Sequence, residues 1–154
     1  MTFIKLDIPE SAHQSQSTLT APSSATANEI LPCSSITHTG LTVNGSGQLV
    51  LSSGYTFILM AGHYLERSSG FGTLESQWYD VTNSQFLGRS CKSWVNTTNN
   101  SSQRRTPVAR CLITPSVSTT LEMRIVSTTS GNSINPSVPT FDYIGTPWYS
   151  VISF

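Results

Sequence analysis

YTFILMAGHYLE, residues 55–66, is the most apolar run of the chain, and its reading decides the fold. Ser52-Ser53-Gly54 precedes it and Arg67-Ser68-Ser69-Gly70 follows. No polar face of helical period can be drawn through residues 55–64, and turn formers stand on both sides, so the run predicts a buried strand. A strand with two apolar faces needs a layer on each side. One layer is the facing sheet of the same subunit, and the other is open to a second subunit.

The flanking segments read as further strands. QWYDVT (77–82) and QFLGR (85–89) are separated by Asn83-Ser84, which predicts a two-residue hairpin. PVARCLIT (107–114) is turned by Pro115-Ser116. In LEMRIV (121–126), Leu121, Met123 and Ile125 face one way and Glu122 and Arg124 the other. WYSVISF (148–154) is apolar enough to require burial. On the N-terminal side, LTV (41–43) and QLVLS (48–52) flank Asn44-Gly45-Ser46-Gly47, a hairpin signal in which Asn-Gly takes positive φ. EILPCSSITH (29–38) carries Pro32 and reads as an edge or bulged strand.

The first residues differ in character. FIKLDI (3–8) alternates and stops at Pro9. Residues 10–28 are rich in Ser, Thr, Gln and Ala, and serve as an edge strand or as an extended arm ordered on a neighbouring chain. The chain thus divides into an N-terminal strand and arm, 1–28, and a head domain, 29–154.

With 154 residues and 37% hydrophobic content, the chain can bury one real core. Only 10% of residues are charged, and eight basic residues cancel eight acidic ones. No concentrated basic face results, so neither nucleic acid nor an anionic membrane surface is an expected partner. Cys33, Cys91 and Cys111 form no CxxC, and with His13, His38 and His63 they make no zinc ligand set. Free thiols of a reducing cytosol are expected. The N-terminus has no basic head before an apolar stretch, and no apolar run reaches 18 residues.

Catalytic constellations are equally sparse. There is no G-x-S-x-G to mark a nucleophile for His63, and a hydrogen-bonded histidine at a subunit interface is the expected role. Glu66 with Glu75, or Glu75 with Asp80, are the carboxylate pairs a glycosidase would use. Trp78, Tyr79 and Trp94 serve either as a sugar-stacking surface or as core and subunit-seam aromatics. No cofactor or metal is expected, because no calcium-type loop is present.

From about residue 17 onward the chain resembles the jelly-roll heads of the tumour necrosis factor and complement globular-head families, and the trimeric heads of bacteriophage fibres and tail needles. Carrying the resemblance are Gly54-Tyr55-Thr56-Phe57, Ala61-Gly62-His63-Tyr64, Thr119-Thr120-Leu121-Glu122-Met123-Arg124-Ile125 and the terminal residues 148–154. It implies an all-β, antiparallel β-sandwich (jelly roll) that forms a homotrimeric head. It also implies that Trp148, Ser150, Ile152 and Phe154, with His63, lie at the trimer interface, and that Tyr149, Val151 and Ser153 face the sandwich core. The chain departs from the animal families in lacking a leader, a collagen-like stalk and an anchor, and from typical fibres in lacking a heptad stalk.

The functional expectation is a non-enzymatic bacteriophage virion structural protein, made in the host cytoplasm and exposed on the particle for host attachment at the tail, in the manner of fibre or needle receptor binding. Its partners would be itself, other virion proteins and a host surface glycan or protein, without nucleic acid and without membrane insertion. A capsid decoration or cement protein docking through its N-terminal arm is the alternative, and a small carbohydrate hydrolase is a third.

Overall fold

Alternation of apolar and polar residues becomes alternation of inner and outer faces throughout a computed structural model that describes residues 13–20, 26–63, 65–66, 71–96, 108–128, 133–134 and 148–153. One layer holds β1 (His13–Thr18), β12 (Trp148–Ser153), β5 (Phe57–Gly62) and β9 (Ala109–Ile113), in that spatial order. The other holds β8 (Gln85–Asn96), β7 (Phe71–Asp80) and β10 (Thr119–Thr128), then β4 (Leu49–Leu51) and β3 (Leu41–Val43), with β2 (Ile30–Leu31) also on β10. The short strands β6 (Leu65–Glu66) and β11 (Ser133–Ile134) pair separately. Among the described residues every strand pairing is antiparallel.

The chain winds between the layers as a jelly roll does. β1 pairs the last strand β12, β4 pairs β10, β5 pairs β9 and β7 pairs β8, so the first half of the chain folds back along the second. Phe57, Leu59, Ala61, Cys111, Tyr149 and Val151 come from one layer to meet Leu49, Leu51, Leu74, Trp78, Leu121, Met123 and Ile125 from the other. Apart from the slightly open Cys111, these side chains are fully enclosed. Their removal from water is the main stabilising term, about 1.5–3 kcal/mol for each large aliphatic side chain.

A glycine joins the layers. β8 pairs Ser76 of β7 at Cys91, then resumes at Leu87 opposite Trp78, which leaves residues 88–90 outside that ladder. Within this bulge Arg89 pairs with Arg110 of β9, and the two layers become one curled ten-stranded sheet. Gly88 has φ +66, and a Cβ there would stand 1.9 Å from the Arg110 carbonyl oxygen. Gln77 Nε2 donates to the Gly88 carbonyl at 2.8 Å, which satisfies part of the interrupted ladder.

Several local expectations are corrected. The β7–β8 connection is a four-residue turn, 81–84, because Asp80 Oδ1 accepts from the Asn83 backbone N–H at 3.0 Å and Ser84 adopts φ 55. In the β3–β4 hairpin the positive φ falls on Gly47. Asn44 acts through its side chain instead, accepting from the Ser46 and Gln48 N–H groups at 3.0 Å each. Glu122 does face away from the core, yet it is buried: Gln48 Nε2 donates to it at 2.7 Å and Arg124 Nε at 2.7 Å.

Of the two readings open for the hydroxyl-rich arm, residues 13–18 take the edge strand within the same chain, paired along β12. Their side chains bond the crossing segment on the other flank. Ser15 Oγ donates to the Thr37 carbonyl at 2.9 Å, Ser17 Oγ to the Ser35 carbonyl at 3.0 Å, and Thr18 and Ser34 share a hydroxyl bond at 2.9 Å. Strand 3–8 and Phe154 lie outside the described residues.

Gly88→Ala should destabilise the fold by about 3 kcal/mol in denaturant unfolding, since both positive φ and a backbone clash oppose it. Gly45→Ala, with nothing within 4 Å of its added Cβ, should change stability by less than about 0.5 kcal/mol. Equal midpoints for the two variants would contradict the corner assignment.

Candidate functional site

The outer face of the β1–β12–β5–β9 layer is the first candidate. Register sets Ile152, Ile58 and Leu112 in one row across three strands. Ile58 and Ile152 are half-buried, and Leu112 is 69% exposed. The adjacent row carries Gln16, Ser150, Met60, Arg110 and Arg89. Ile58 and Met60 are therefore the second apolar face foreseen for the central strand, and the chain alone covers it only in part.

Of the expected interface residues, Ile152 stands in this apolar row, and Trp148 and Ser150 occupy alternate ladder positions opposite Gly62 and Met60. Tyr149, Val151 and Ser153 are buried toward the core. Phe154 lies outside the described residues.

His63 is elsewhere, enclosed in the interior at 1% exposure. Its Nδ1 stands 3.0 Å from Ser76 Oγ and 3.4 Å from Cys91 Sγ, while Ser93 Oγ donates to its carbonyl at 3.3 Å. Its Nε2 is buried without a hydrogen-bond partner. Burial pulls the imidazole down to about 4, against a smaller opposing backbone contact with Leu74. Burial also pushes the Cys91 thiol up to about 11. Both groups are neutral at pH 7, and since the thiolate is the nucleophile this is not an activated Cys–His pair. The closest hydrogen-bond partners of the ring are a hydroxyl and a thiol, with no carboxylate among the described contacts.

The pleat separates Glu75 from Asp80 and Trp78 from Tyr79, while the side chain of Glu66 lies outside the described residues. Glu75 points outward, accepting from Ser90 Oγ at 2.7 Å and pairing with Lys92 at 3.7 Å. Asp80 points inward and caps the 81–84 turn. Trp78 is in the core, whereas Tyr79 is outside, with the Arg124 guanidinium 3.5 Å above its ring and Phe86 against its edge at 5.0 Å. No group of three metal-ligating side chains occurs among the described residues.

His38, considered in the sequence only as a metal ligand, has a buried hydrogen-bonding role that the sequence did not show. It is buried beneath the β1–β12 edge, with Nδ1 3.0 Å from Ser15 Oγ and Nε2 2.9 Å from Ser153 Oγ. Tyr149 adds a short hydrogen bond to the Ser34 carbonyl at 2.5 Å. No motif marks these residues, because the partners stand 23 and 115 positions from the histidine.

No family model matches the sequence, and no curated protein matches it. Among solved structures the chain is similar to the Eiger TNF of S. frugiperda, with TM-score 0.50 and 9% identity over 93% of this chain and 91% of that one. The likeness covers nearly the whole of both chains and concerns the fold, a TNF-type jelly-roll β-sandwich.

The buried histidine predicts a pH dependence. Unfolded, its ring binds a proton as pH falls through 6.5; folded, it does so only near 4. The unfolded state therefore holds more protons in that window, and stability present above 6.5 is lost as pH falls toward 4, by about 3 kcal/mol. Urea titrations between pH 7.5 and 4 should show this slope, and His63→Asn should flatten it. Ser153→Ala, which removes one hydrogen bond to His38, should cost about 1 kcal/mol at pH 7 by the same method.

Proposed function

We propose that this chain is a non-enzymatic, homotrimeric head on the surface of a bacteriophage particle, serving host attachment at the tail. The observation that carries the trimer is the half-covered row Ile152–Ile58–Leu112 on a sheet whose other face is closed by its own core. Packing around a threefold axis would complete that sheet, with Trp148, Ser150, Ile152 and Phe154 at the contact. The resemblance to tumour necrosis factor heads supports the same arrangement. His63 contributes from behind the sheet, as part of the interior that holds the end of β5.

Strand direction supports a base and an outward end. β1 begins opposite Ser153, and the turns at 52–56, 81–84 and 114–118 join strands at that same pole. β8 and β10 end, and β9 and β12 begin, at the opposite pole. The first pole suits attachment to other virion proteins, and the second suits contact with a host glycan or protein.

A capsid decoration role uses the same head and the same base, with the N-terminal residues locking onto shell subunits. Quantitative mass spectrometry of purified particles separates the two. A handful of trimers per particle is the expected result, a multiple set by the capsid lattice makes the protein a decoration, and its absence from particles contradicts both. Ile58→Asp, which sets a carboxylate in the apolar row, should abolish association in size-exclusion chromatography while the circular dichroism stays all-β.

A further inference from the structure

Asn44 and Gly45 form part of the exposed tip of the β3–β4 hairpin. An asparagine followed by glycine can lose ammonia to its own backbone, because no Cβ shields the glycine nitrogen and asparagine is among the thermolabile side chains. Here the side-chain carbonyl is clamped: Oδ1 accepts from the Ser46 and Gln48 N–H groups at 3.0 Å each. The backbone is fixed as well, Asn44 N–H donating to the Gln48 carbonyl at 2.9 Å and Gly47 N–H to the Asn44 carbonyl at 3.0 Å. Those bonds leave Asn44 Nδ2 donating to Gln48 Oε1 at 2.8 Å, so the Gln48 amide presents its nitrogen to Glu122 Oε2, 2.7 Å away. Both amides take this one orientation, since backbone N–H groups define one end of the relay and a carboxylate the other. Arg124 Nε closes it on Glu122 Oε1 at 2.7 Å, and its guanidinium lies on the Tyr79 ring.

We infer that Asn44 is a site of spontaneous deamidation, that the hairpin holds the reaction back through Gln48, and that the product breaks the relay to Glu122. In the reaction the Gly45 nitrogen attacks Asn44 Cγ and the Cγ–Nδ2 bond breaks, the proton of the Gly45 N–H leaving with Nδ2 as ammonia. Water then opens the succinimide at either carbonyl and leaves aspartate or isoaspartate. Attack requires Cγ to turn its face to the Gly45 nitrogen, which pulls Oδ1 from its two N–H donors and Nδ2 from Gln48. Asn44, Gly45 and Ser46 are exposed, so water reaches the tip for the second step. As aspartate, residue 44 keeps both N–H bonds to one oxygen, but its other oxygen meets Gln48 Oε1, acceptor against acceptor. Turning the Gln48 amide over mends that contact and sets Oε1 against the Glu122 carboxylate, which at 1% exposure has little water to turn to. Isoaspartate adds a methylene to the backbone and also breaks the register at the end of β3, the edge strand of its layer.

Peptide mapping by mass spectrometry of the full chain, held at mildly alkaline pH with and without urea, tests the lock. The unfolded chain should gain aspartate and isoaspartate at residue 44 several-fold faster than the folded one, and Gln48→Ala should raise the folded rate several-fold. Equal folded and unfolded rates, no conversion in either, or a folded Gln48→Ala protein with the wild-type rate overturns the inference. A double-mutant cycle tests the relay without relying on Gln48→Ala to fold. Asn44→Asp should lower the folding equilibrium constant roughly tenfold in urea titrations at neutral pH. With Glu122→Gln the relay can run in reverse: the introduced amide donates to Gln48 Oε1 and accepts from Arg124, leaving Gln48 Nε2 for the carboxylate at residue 44. Asn44→Asp should therefore cost little in that background, and an equal loss in both backgrounds overturns the inference. The relay lies on the layer opposite the proposed contact row, so neither result depends on the trimer reading.

Discussion

A β-strand that is apolar on both faces has to be covered twice, and β5 is such a strand. Phe57, Leu59 and Ala61 fill the sandwich, while Ile58 and Met60 look outward with Ile152 and Leu112 beside them. Everything else serves to hold that sheet in place: the second layer closes one side, the Gly88 bulge ties the layers, and the edge strand β1 guards the flank. Among the described residues Ile58, Met60 and Ile152 stay half-buried and Leu112 exposed on the other side, the face we propose for a second copy.

The scarcity of charge acquires a physical meaning in this setting. Hydroxyls do locally what ion pairs do in other surfaces. Ser15, Ser17 and Thr18 bond the crossing segment through their hydroxyls and hold it against the edge strand, and covering an edge with a loop is one way to block unwanted strand addition. Inside, Ser76 and Ser153 give His63 and His38 neutral hydroxyl partners. Among the described residues the ion pairs Glu122–Arg124 and Glu75–Lys92 sit on the outer face of the other layer.

Much of this was legible in residues 55–66, 121–125 and 148–153, where period-two alternation tells inner from outer positions directly. Turn placement was legible too, but turn type was not: Asn83-Ser84 read as a two-residue hairpin because the cap from Asp80 is a side-chain effect that spacing does not reveal. Glu122 read only as facing away from Leu121, Met123 and Ile125, and its burial was not legible because it depends on Gln48, brought in by a distant hairpin. The arm at 13–18 was ambiguous for the same reason, its partners being the far end of the chain and a segment with no pattern of its own. His38 was weighed only as a metal ligand, and its hydrogen bonds to Ser15 and Ser153 left no trace in local sequence. Local chemistry announces itself in sequence, whereas a contact made by closing the jelly roll does not.

Sedimentation equilibrium of the purified protein at micromolar concentration measures the central claim most directly. A sheet completed by its own copies predicts a single species with the mass of three 16.7 kDa chains, stable to dilution. A stable monomer, soluble with Leu112 and Ile58 open to water, would contradict it.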